Sequence, residues 1–531
     1  LSKKALLSHL DKHEKKGIKD PWEYILPEDI GSCFEIIREC QPIETADCLK
    51  LGFSKERRSK GVHHTPFDVT GHMVDLSLNK IEIPDDKIPS DFVVADLAVG
   101  AGAFLLQAAR IISNMTRVDI DIILKHHIIG FDIDSEVLNM CSLCFHLENM
   151  CKTPQSSYNL YKVDSIFSCN SREQIRSKIK QMMPESKGTP TVTIGNPPYV
   201  RVKQNEISRL GFQSKSSGNL SALFIEQALE VTEIGKVVCQ IVPQSVVQSD
   251  KMQSIRNILI ARCSEIDIET FGCVPGYMFD QGKIGSNTSK AITQRVAIVT
   301  AVTGDVKTPV VKTTRFIRWG SKERNSLFED IKKQEIPPDL FTNGPFPMIG
   351  DKDGLQILTH TRQTKRTISD IEGSNERLHL YVPKAVRYFA TASRYDLNRS
   401  QMRILFDDKE SRNLGQILIN SNYFYWYWRT YGNGFQISNK DVSSLPIPSI
   451  KMQKKYQKEI DNLADKLHKK RHTLSVKKSN KGMIGNIKYD NDKALMKELD
   501  QLVILLFDLD SPYPFIASKE NSVQGYNQHF S

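Results

Sequence analysis

Asn196-Pro197-Pro198-Tyr199 brings together groups suited to immobilising an amino nitrogen rather than to making a nucleophile. The Asn196 amide oxygen and the Pro197 carbonyl, with no proline N–H to compete, can accept two hydrogen bonds from one NH2 group. Tyr199 adds a flat face on which a planar base can stack. The β-rich run Thr191-Val192-Thr193-Ile194 precedes the tetrad. The tetrad therefore falls at the carboxyl end of a strand, where open α/β sheets bind ligands. An ordinary proline-rich turn is the alternative reading of the four residues taken alone.

A second constellation lies upstream. Phe92-Val93-Val94-Ala95-Asp96 leads directly into Leu97-Ala98-Val99-Gly100-Ala101-Gly102-Ala103-Phe104. A strand ending in Asp, then Gly-x-Gly, then a helix brings backbone close to a ligand at a helix N-terminus. The third glycine of a dinucleotide fingerprint would fall at position 105, which is Leu, so the match fails where a pyrophosphate must approach. A short glycine loop suits a cofactor without that pyrophosphate, such as S-adenosylmethionine. About 30 residues on, the strand ending Gly130-Phe131 delivers Asp132, placed to accept both ribose hydroxyls. Asp164 follows Tyr161-Lys162-Val163 and is placed to accept from an adenine amino group. Each acid alone reads first as a loop or cap residue; their order at three strand ends, before the tetrad, is the signal.

The elements that must hold these groups read as a parallel α/β sheet. Between about residues 60 and 305, strand candidates Phe92–Ala95, His127–Phe131, Thr191–Ile194, Lys236–Val242 and Val296–Val302 alternate with helical patterns. Leu220, Phe224, Ala228 and Val231 recur at helical spacing between the third and fourth. Residues 1–58 read as charged helices. Weaker patterning after residue 305 ends in Lys-rich helices (451–472), a polar loop (476–487) and a last helix near 491–508. The expected organisation is an N-terminal helical segment (1–58), a catalytic domain (59–305) and a recognition domain with C-terminal helices (306–531).

Charge separates the halves. Residues 301–531 carry 37 Lys and Arg against 26 Asp and Glu, whereas residues 1–300 carry 35 against 36, so the net +10 resides in the C-terminal part. A basic part beside a neutral one suits a polyanion docked on one half and chemistry in the other, with a solvated Lys-rich surface as the alternative. The ten cysteines form no secreted-type framework, which predicts reduced thiols and a cytoplasmic setting. Cys141 and Cys144 form a single Cys-x-x-Cys inside an apolar helical pattern, without a second pair to complete a zinc site, so no metal is expected. No apolar run approaches transmembrane length, and no membrane association is expected.

These residues together resemble the DNA adenine-N6 methyltransferases of the gamma arrangement, the Taq-type modification enzymes, in which cofactor motifs precede the catalytic one and recognition comes last. The resemblance implies a Rossmann-like S-adenosylmethionine-dependent methyltransferase sheet, α/β in class, with a C-terminal α+β target-recognition domain. The family's first motif is similar to Gly61-Val62-His63-His64-Thr65-Pro66, with His64 where the family has tyrosine. Carried over, His64 and Thr65 lie at the cofactor. Asp96, Ala98, Gly100 and Gly102 line its methionine end, Asp132 and Ile133 hold the ribose, and Asp164 and Ser165 lie by the adenine. Gly218-Asn219-Leu220 followed by Phe224 resembles the helix packed behind the site. Asn196, Pro197, Pro198 and Tyr199 would hold a flipped-out adenine for in-line transfer without a covalent intermediate. Phe279, in Gly276-Tyr277-Met278-Phe279-Asp280, would stack on its other face, with a core position as the alternative. The implied partner is double-stranded DNA. A separate restriction endonuclease, a monomeric state and a bacterial or archaeal host complete the expectation.

Other readings stay open at this point. Asn-Pro-Pro-Tyr also occurs in enzymes that methylate a glutamine side chain in release factors, but those are short and lack a basic C-terminal domain. RNA N6-adenine methylation is the closer alternative, since charge does not separate RNA from DNA. A fused nuclease finds no acid–acid–Lys cluster after residue 305. A non-catalytic binding module leaves the tetrad beside the glycine loop without a purpose. In the C-terminal part, Tyr381–Phe389, the aromatic run Asn422–Tyr431 and Ser444-Leu445-Pro446-Ile447-Pro448 resemble recognition domains, and the density of the aromatic run favours reading it as that domain's core.

Overall fold

Short β-rich runs alternating with longer amphipathic ones become strands and helices in the computed structural model of the 531-residue chain. The structure describes residues 65–512 apart from 85–86, 150–156, 185, 274–275, 280–293, 387–388, 398, 435 and 478–483. Also described are strands β1 (Cys40–Thr45) and β2 (Cys48–Phe53) and scattered positions near both ends. β1 and β2 pair as an antiparallel hairpin where helices are expected. Leu49, Leu51 and Phe53 alternate with Lys50 and Gly52, a strand period that outweighs the charge content of the segment. His64 lies outside the described residues.

Two compact units share the chain. The first comprises residues 1–242, 258–265 and 298–307; the second comprises 243–257, 266–297 and 308–531.

In the first unit, β3 (Val94–Asp96), β4 (Ile128–Asp132), β5 (Leu160–Lys162), β6 (Val192–Gly195) and β7 (Val237–Pro243) lie in the order β7-β6-β3-β4-β5. Every neighbouring pair in that row is parallel. Strands β3, β6 and β7 are buried along their whole length, as expected for a parallel sheet covered on both faces. Helix α1 (Phe67–Leu78) precedes the sheet, α2 (Ala103–Thr116) follows β3, and α3 (Ile120–His126) leads to β4. Helix α4 (Ser135–Glu148) follows β4, α5 (Ser171–Met182) follows β5 and α6 (Leu220–Val231) leads to β7. Local chemistry starts these helices: the Asp134 and Asn219 side chains cap α4 and α6 by accepting from Glu136 N and Ser221 N at 2.9 and 3.0 Å. The chain steps from β3 to β4 to β5 toward one edge and then returns across β3 to β6 and β7. Strands β3 and β6 therefore flank a topological switch point, where connections diverge and leave a crevice at the strand ends.

The second unit contains β8 (Cys263–Phe271, from Ile266 on), β10 (Val310–Ile317) and β11 (Gln334–Ile336), while most of β9 (Val296–Thr303) belongs to the first. Its β10 and β11 pair antiparallel, as do β12 (His379–Pro383) and β13 (Gln401–Leu405). The aromatic run forms helix α7 (Asn422–Tyr431), and Tyr423, Phe424, Tyr425 and Trp428 are buried. The run is therefore the core of this unit, and its aromatic faces are spent on packing rather than on bases. Arg429 from the same helix is buried on the Phe316 ring, 3.8 Å from guanidinium carbon to centroid, and donates to Phe316 O at 3.0 Å. The expected polar loop at 476–487 instead contributes two paired strands, Ser475–Lys477 and Ile484–Ile487. No helix among the described residues is long and apolar enough to cross a membrane.

Candidate active site

The acids read from the sequence stand at the ends of β3, β4 and β5, on one side of the switch point, and the tetrad follows β6 on the other. Asp96 closes β3 and Asp132 closes β4, while Asp164 stands two residues beyond β5. Asp96 is 2% exposed, and its Oδ1 accepts from Ala98 N at 2.9 Å. Burial pushes its carboxyl up to about 7; the Ala98 N–H opposes the shift and the Asp132 charge adds to it. Asp132 accepts from Gly100 N at 3.2 Å and Asp134 N at 3.0 Å, and burial again raises its carboxyl above the usual range. The glycine loop is fastened to β4 a second time, by Val99 N donating to Phe131 O at 2.9 Å. Ser165 Oγ donates to Leu97 O at 2.8 Å, tying the segment after β5 to the loop after β3. Asp164 Oδ1 closes a turn by accepting from Ile166 N and Phe167 N at 3.1 and 2.8 Å.

Leu97 and Val99 are buried while Ala98 and Gly100 between and after them are half-buried, so alternate peptides of the loop reach the surface. Two apolar side chains are left in solvent beside the acids: Ile133 is 61% exposed and Phe167 39% exposed. Hydrogen-bond acceptors next to exposed apolar faces are the set of groups that a nucleoside needs, with its hydroxyls donating to carboxylate and its base covered by hydrocarbon. The residues present therefore fit the adenosyl part of S-adenosylmethionine.

Gly102 starts α2 at φ +88°, a conformation that other residues adopt at a cost, and a Cβ there would lie 2.6 Å from Cys141 Sγ and 2.9 Å from the Phe145 ring. Gly102→Ala is expected to lower unfolding stability by roughly 2–5 kcal/mol from backbone strain plus overpacking. The check is the urea midpoint at unchanged m-value; a shift worth less than about 0.5 kcal/mol would show that the loop relaxes freely around a side chain.

The tetrad follows β6. A Cβ on Gly195 would lie 2.6 Å from Asp96 Oδ1, so this glycine lets the tetrad's strand press against the buried carboxyl. Asn196 donates from Nδ2 to Thr65 Oγ1 at 3.0 Å, which turns the oxygen of the same amide to the opposite side. Pro197 is buried, and Pro198 and Tyr199 are half-buried. The Tyr199 hydroxyl is enclosed and donates to Ile241 O at 3.0 Å; burial holds its pKa well above the usual value. That bond anchors the hydroxyl end of a half-buried side chain. Of the residues expected at the site, Thr65, Asp96, Ala98, Gly100, Gly102, Asp132, Ile133, Asp164, Ser165 and Asn196 to Tyr199 all belong to the first unit. Phe279 is buried in the second unit, 8% exposed.

Two residues at this site escape the sequence reading. Phe167 carries only the weak signal of an aromatic after a polar turn. Gln240 pairs in register with Gly195 and is 3% exposed, and its Oε1 accepts no hydrogen bond from the described residues. A polar side chain inside the apolar run Val-Val-Cys-Gln-Ile-Val was its visible signal.

Residues 126–274, which include Asp132, Asp164 and the whole tetrad, match the Eco57I restriction-modification methylase family. No curated protein matches the chain by sequence. Among solved structures, the chain is similar to the Type IIL restriction-modification enzyme MmeI in complex with DNA, at 13% identity over 95% of this chain and 82% of that one, with a TM-score of 0.51. That likeness is one of fold. The DrdV–DNA complex matches 62% of this chain at 15% identity and a TM-score of 0.41. A nuclease-deletion mutant of the Type ISP enzyme LlaGI with a DNA substrate mimic matches 77% at 12% identity and a TM-score of 0.45. The chain spans 36% and 55% of the length of these last two.

Proposed function

We propose that this chain is an S-adenosylmethionine-dependent DNA methyltransferase that modifies the N6 amino group of an adenine flipped out of the duplex, acting in a restriction-modification or orphan methylation system. One observation carries the reading. The Asn196 amide is oriented by Thr65 at the end of β6, and its strand presses through Gly195 against the acid-lined loop at the end of β3. A held amino group and a cofactor loop thus share one switch point.

S-adenosylmethionine supplies an electrophilic methyl group on a sulfonium. When the cofactor is bound, Asp132 would hold the ribose hydroxyls, Ile133 and Phe167 would cover the adenine beside Asp164, and Asp96 with the glycine loop would take the methionine end. Adenine N6 is a poor nucleophile because its lone pair is delocalised into the ring. The Asn196 oxygen and the Pro197 carbonyl accept the two N6 hydrogens and favour the tetrahedral nitrogen whose lone pair can attack. The N6 lone pair would form the new N–CH3 bond as the methyl–sulfur bond breaks, and one N6 proton then passes to solvent, so no general base acts first. Extruding the base costs a few kcal/mol, and stacking on Tyr199 offsets part of that cost. The basic C-terminal part supplies phosphate contacts. A separate endonuclease would make the chain a modification component.

Incubation with methyl-labelled S-adenosylmethionine and DNA from an unmodified host should place label on adenine N6 within one short sequence. Label on RNA or protein instead would keep the fold and overturn the substrate.

A further inference from the structure

The Thr65 hydroxyl comes from the segment before α1, and Asn196 lies 131 positions later in the chain. Thr65 is buried at 5% exposure, and its Oγ1 receives Asn196 Nδ2 at 3.0 Å. A carboxamide has two ends of nearly equal shape and opposite hydrogen-bonding sense. Turned one way, Asn196 offers an amino-bearing substrate an acceptor. Turned the other way, it offers a second NH2, and the two donors repel. Nothing in the covalent structure of asparagine chooses between these rotamers; here the NH2 end lies on Thr65, whose hydroxyl oxygen accepts from it.

We propose that Thr65 is a positioning residue for methyl transfer: its Oγ1 accepts from Asn196 Nδ2 and so anchors the carboxamide with its oxygen end turned away from Thr65, as an acceptor for the amino group of the substrate. This deepens the methyltransferase reading and rests on it. It also differs from a direct cofactor contact by Thr65, because the hydroxyl acts here through Asn196. Pro66 continues the segment into α1, where Val69 N and Thr70 N each donate to Pro66 O at 3.0 Å. That anchorage fixes where the hydroxyl sits. Val69, Met73 and Val74 of α1 are buried, so Thr65 is mounted on a packed element rather than on a free loop.

The test compares Thr65→Val, which keeps the shape and removes the oxygen, with Thr65→Ser, which keeps the oxygen. A buried hydrogen bond of ordinary strength corresponds to roughly tenfold in rate. Thr65→Val should therefore lower kcat on DNA about tenfold, with S-adenosylmethionine affinity unchanged by calorimetry, and Thr65→Ser should restore kcat. A second readout does not depend on turnover. In asparagine-labelled protein, the Asn196 side-chain NH2 signal, assigned by its loss in Asn196→Asp, should exchange its protons about tenfold faster in Thr65→Val, with Thr65→Ser close to wild type. Equal exchange in wild type and Thr65→Val, or equal loss in both variants, overturns the proposal. A wild-type chain that does not methylate DNA but shows the exchange difference overturns the substrate reading and leaves the positioning contact standing.

Discussion

Asn196→Ala is expected to lower methyl transfer to DNA by about 10²–10³-fold while S-adenosylmethionine binds as it does to the wild type. The asymmetry follows from where Asn196 sits. Its Nδ2 is engaged with Thr65, and its oxygen is the amide acceptor of the tetrad. Removing that oxygen leaves the target amino group planar and free to turn its lone pair away from the methyl group, which is a loss felt in the transition state rather than in binding. The acids proposed to hold the cofactor belong to β3, β4 and the segment after β5, and the hydrogen bonds described for them come from backbone N–H groups rather than from the Asn196 side chain. Single-turnover transfer of labelled methyl, with calorimetric titration of the cofactor in parallel, separates the two effects. Normal turnover in Asn196→Ala would remove the central claim about this site. A parallel loss of cofactor affinity would place Asn196 in the cofactor site instead.

Asp96→Asn should do the opposite to stability and function. The Asp96 carboxyl has a pKa raised from 3.8 to about 7, with burial as the leading cause. A raised acid binds more protons in the folded state, so its contribution to stability is fully present below 3.8 and is lost as pH rises through about 7. The shift of about three units corresponds to roughly 4 kcal/mol, an order-of-magnitude figure for a buried group. Asparagine keeps an oxygen for Ala98 N and carries no charge, so Asp96→Asn should be more stable than wild type at pH 8 by up to roughly that amount. The two proteins should converge near pH 4, and urea melts across this range provide the check. A variant no more stable at pH 8 would mean that Asp96 reaches solvent in the free protein.

The same ionisation links to the cofactor. The methionine end of S-adenosylmethionine bears an ammonium group, which prefers the ionised carboxylate. Wild-type affinity should rise with pH through about 7. In Asp96→Asn that dependence should vanish and affinity should fall on the order of ten- to hundredfold, the worth of a charge-assisted hydrogen bond. Equal affinity in both proteins would place the ammonium elsewhere, with the buried Gln240 oxygen as the neighbouring acceptor on β7.

Asp96, Asp132 and the tetrad could be read along the chain because each signal is local. A β-rich run, an acid or asparagine at its end and a glycine or proline after it occupy fewer than a dozen consecutive residues, and backbone sterics alone then favour a strand followed by a turn. The helix Leu220–Val231 was equally visible, since its apolar residues repeat at the period of one buried face. β8 was not. Its run Cys-Ser-Glu-Ile-Asp-Ile-Glu-Thr-Phe carries three acids, yet Asp267 and Glu269 are buried and both lie within ion-pair distance of Lys333 Nζ, at 3.5 and 2.9 Å. A residue 64 positions beyond Glu269 makes the burial of those acids tolerable, and no local window contains it. The aromatic run Asn422–Tyr431 shows the same limit: its residue types favour strands, and packing of the second unit makes them a helix.

What the sequence determined by itself is therefore the chemistry available at each strand end and the order in which the chain presents it, because side-chain type and backbone preference are properties of neighbouring residues. Tertiary structure alone decided which of those groups meet. The parallel pairing of β3 with β6 brings Gly195 against Asp96, and the segment before α1 brings Thr65 to Asn196. These contacts join residues about a hundred positions apart, and each exists only because burying the sheet on both faces fixes the strand order.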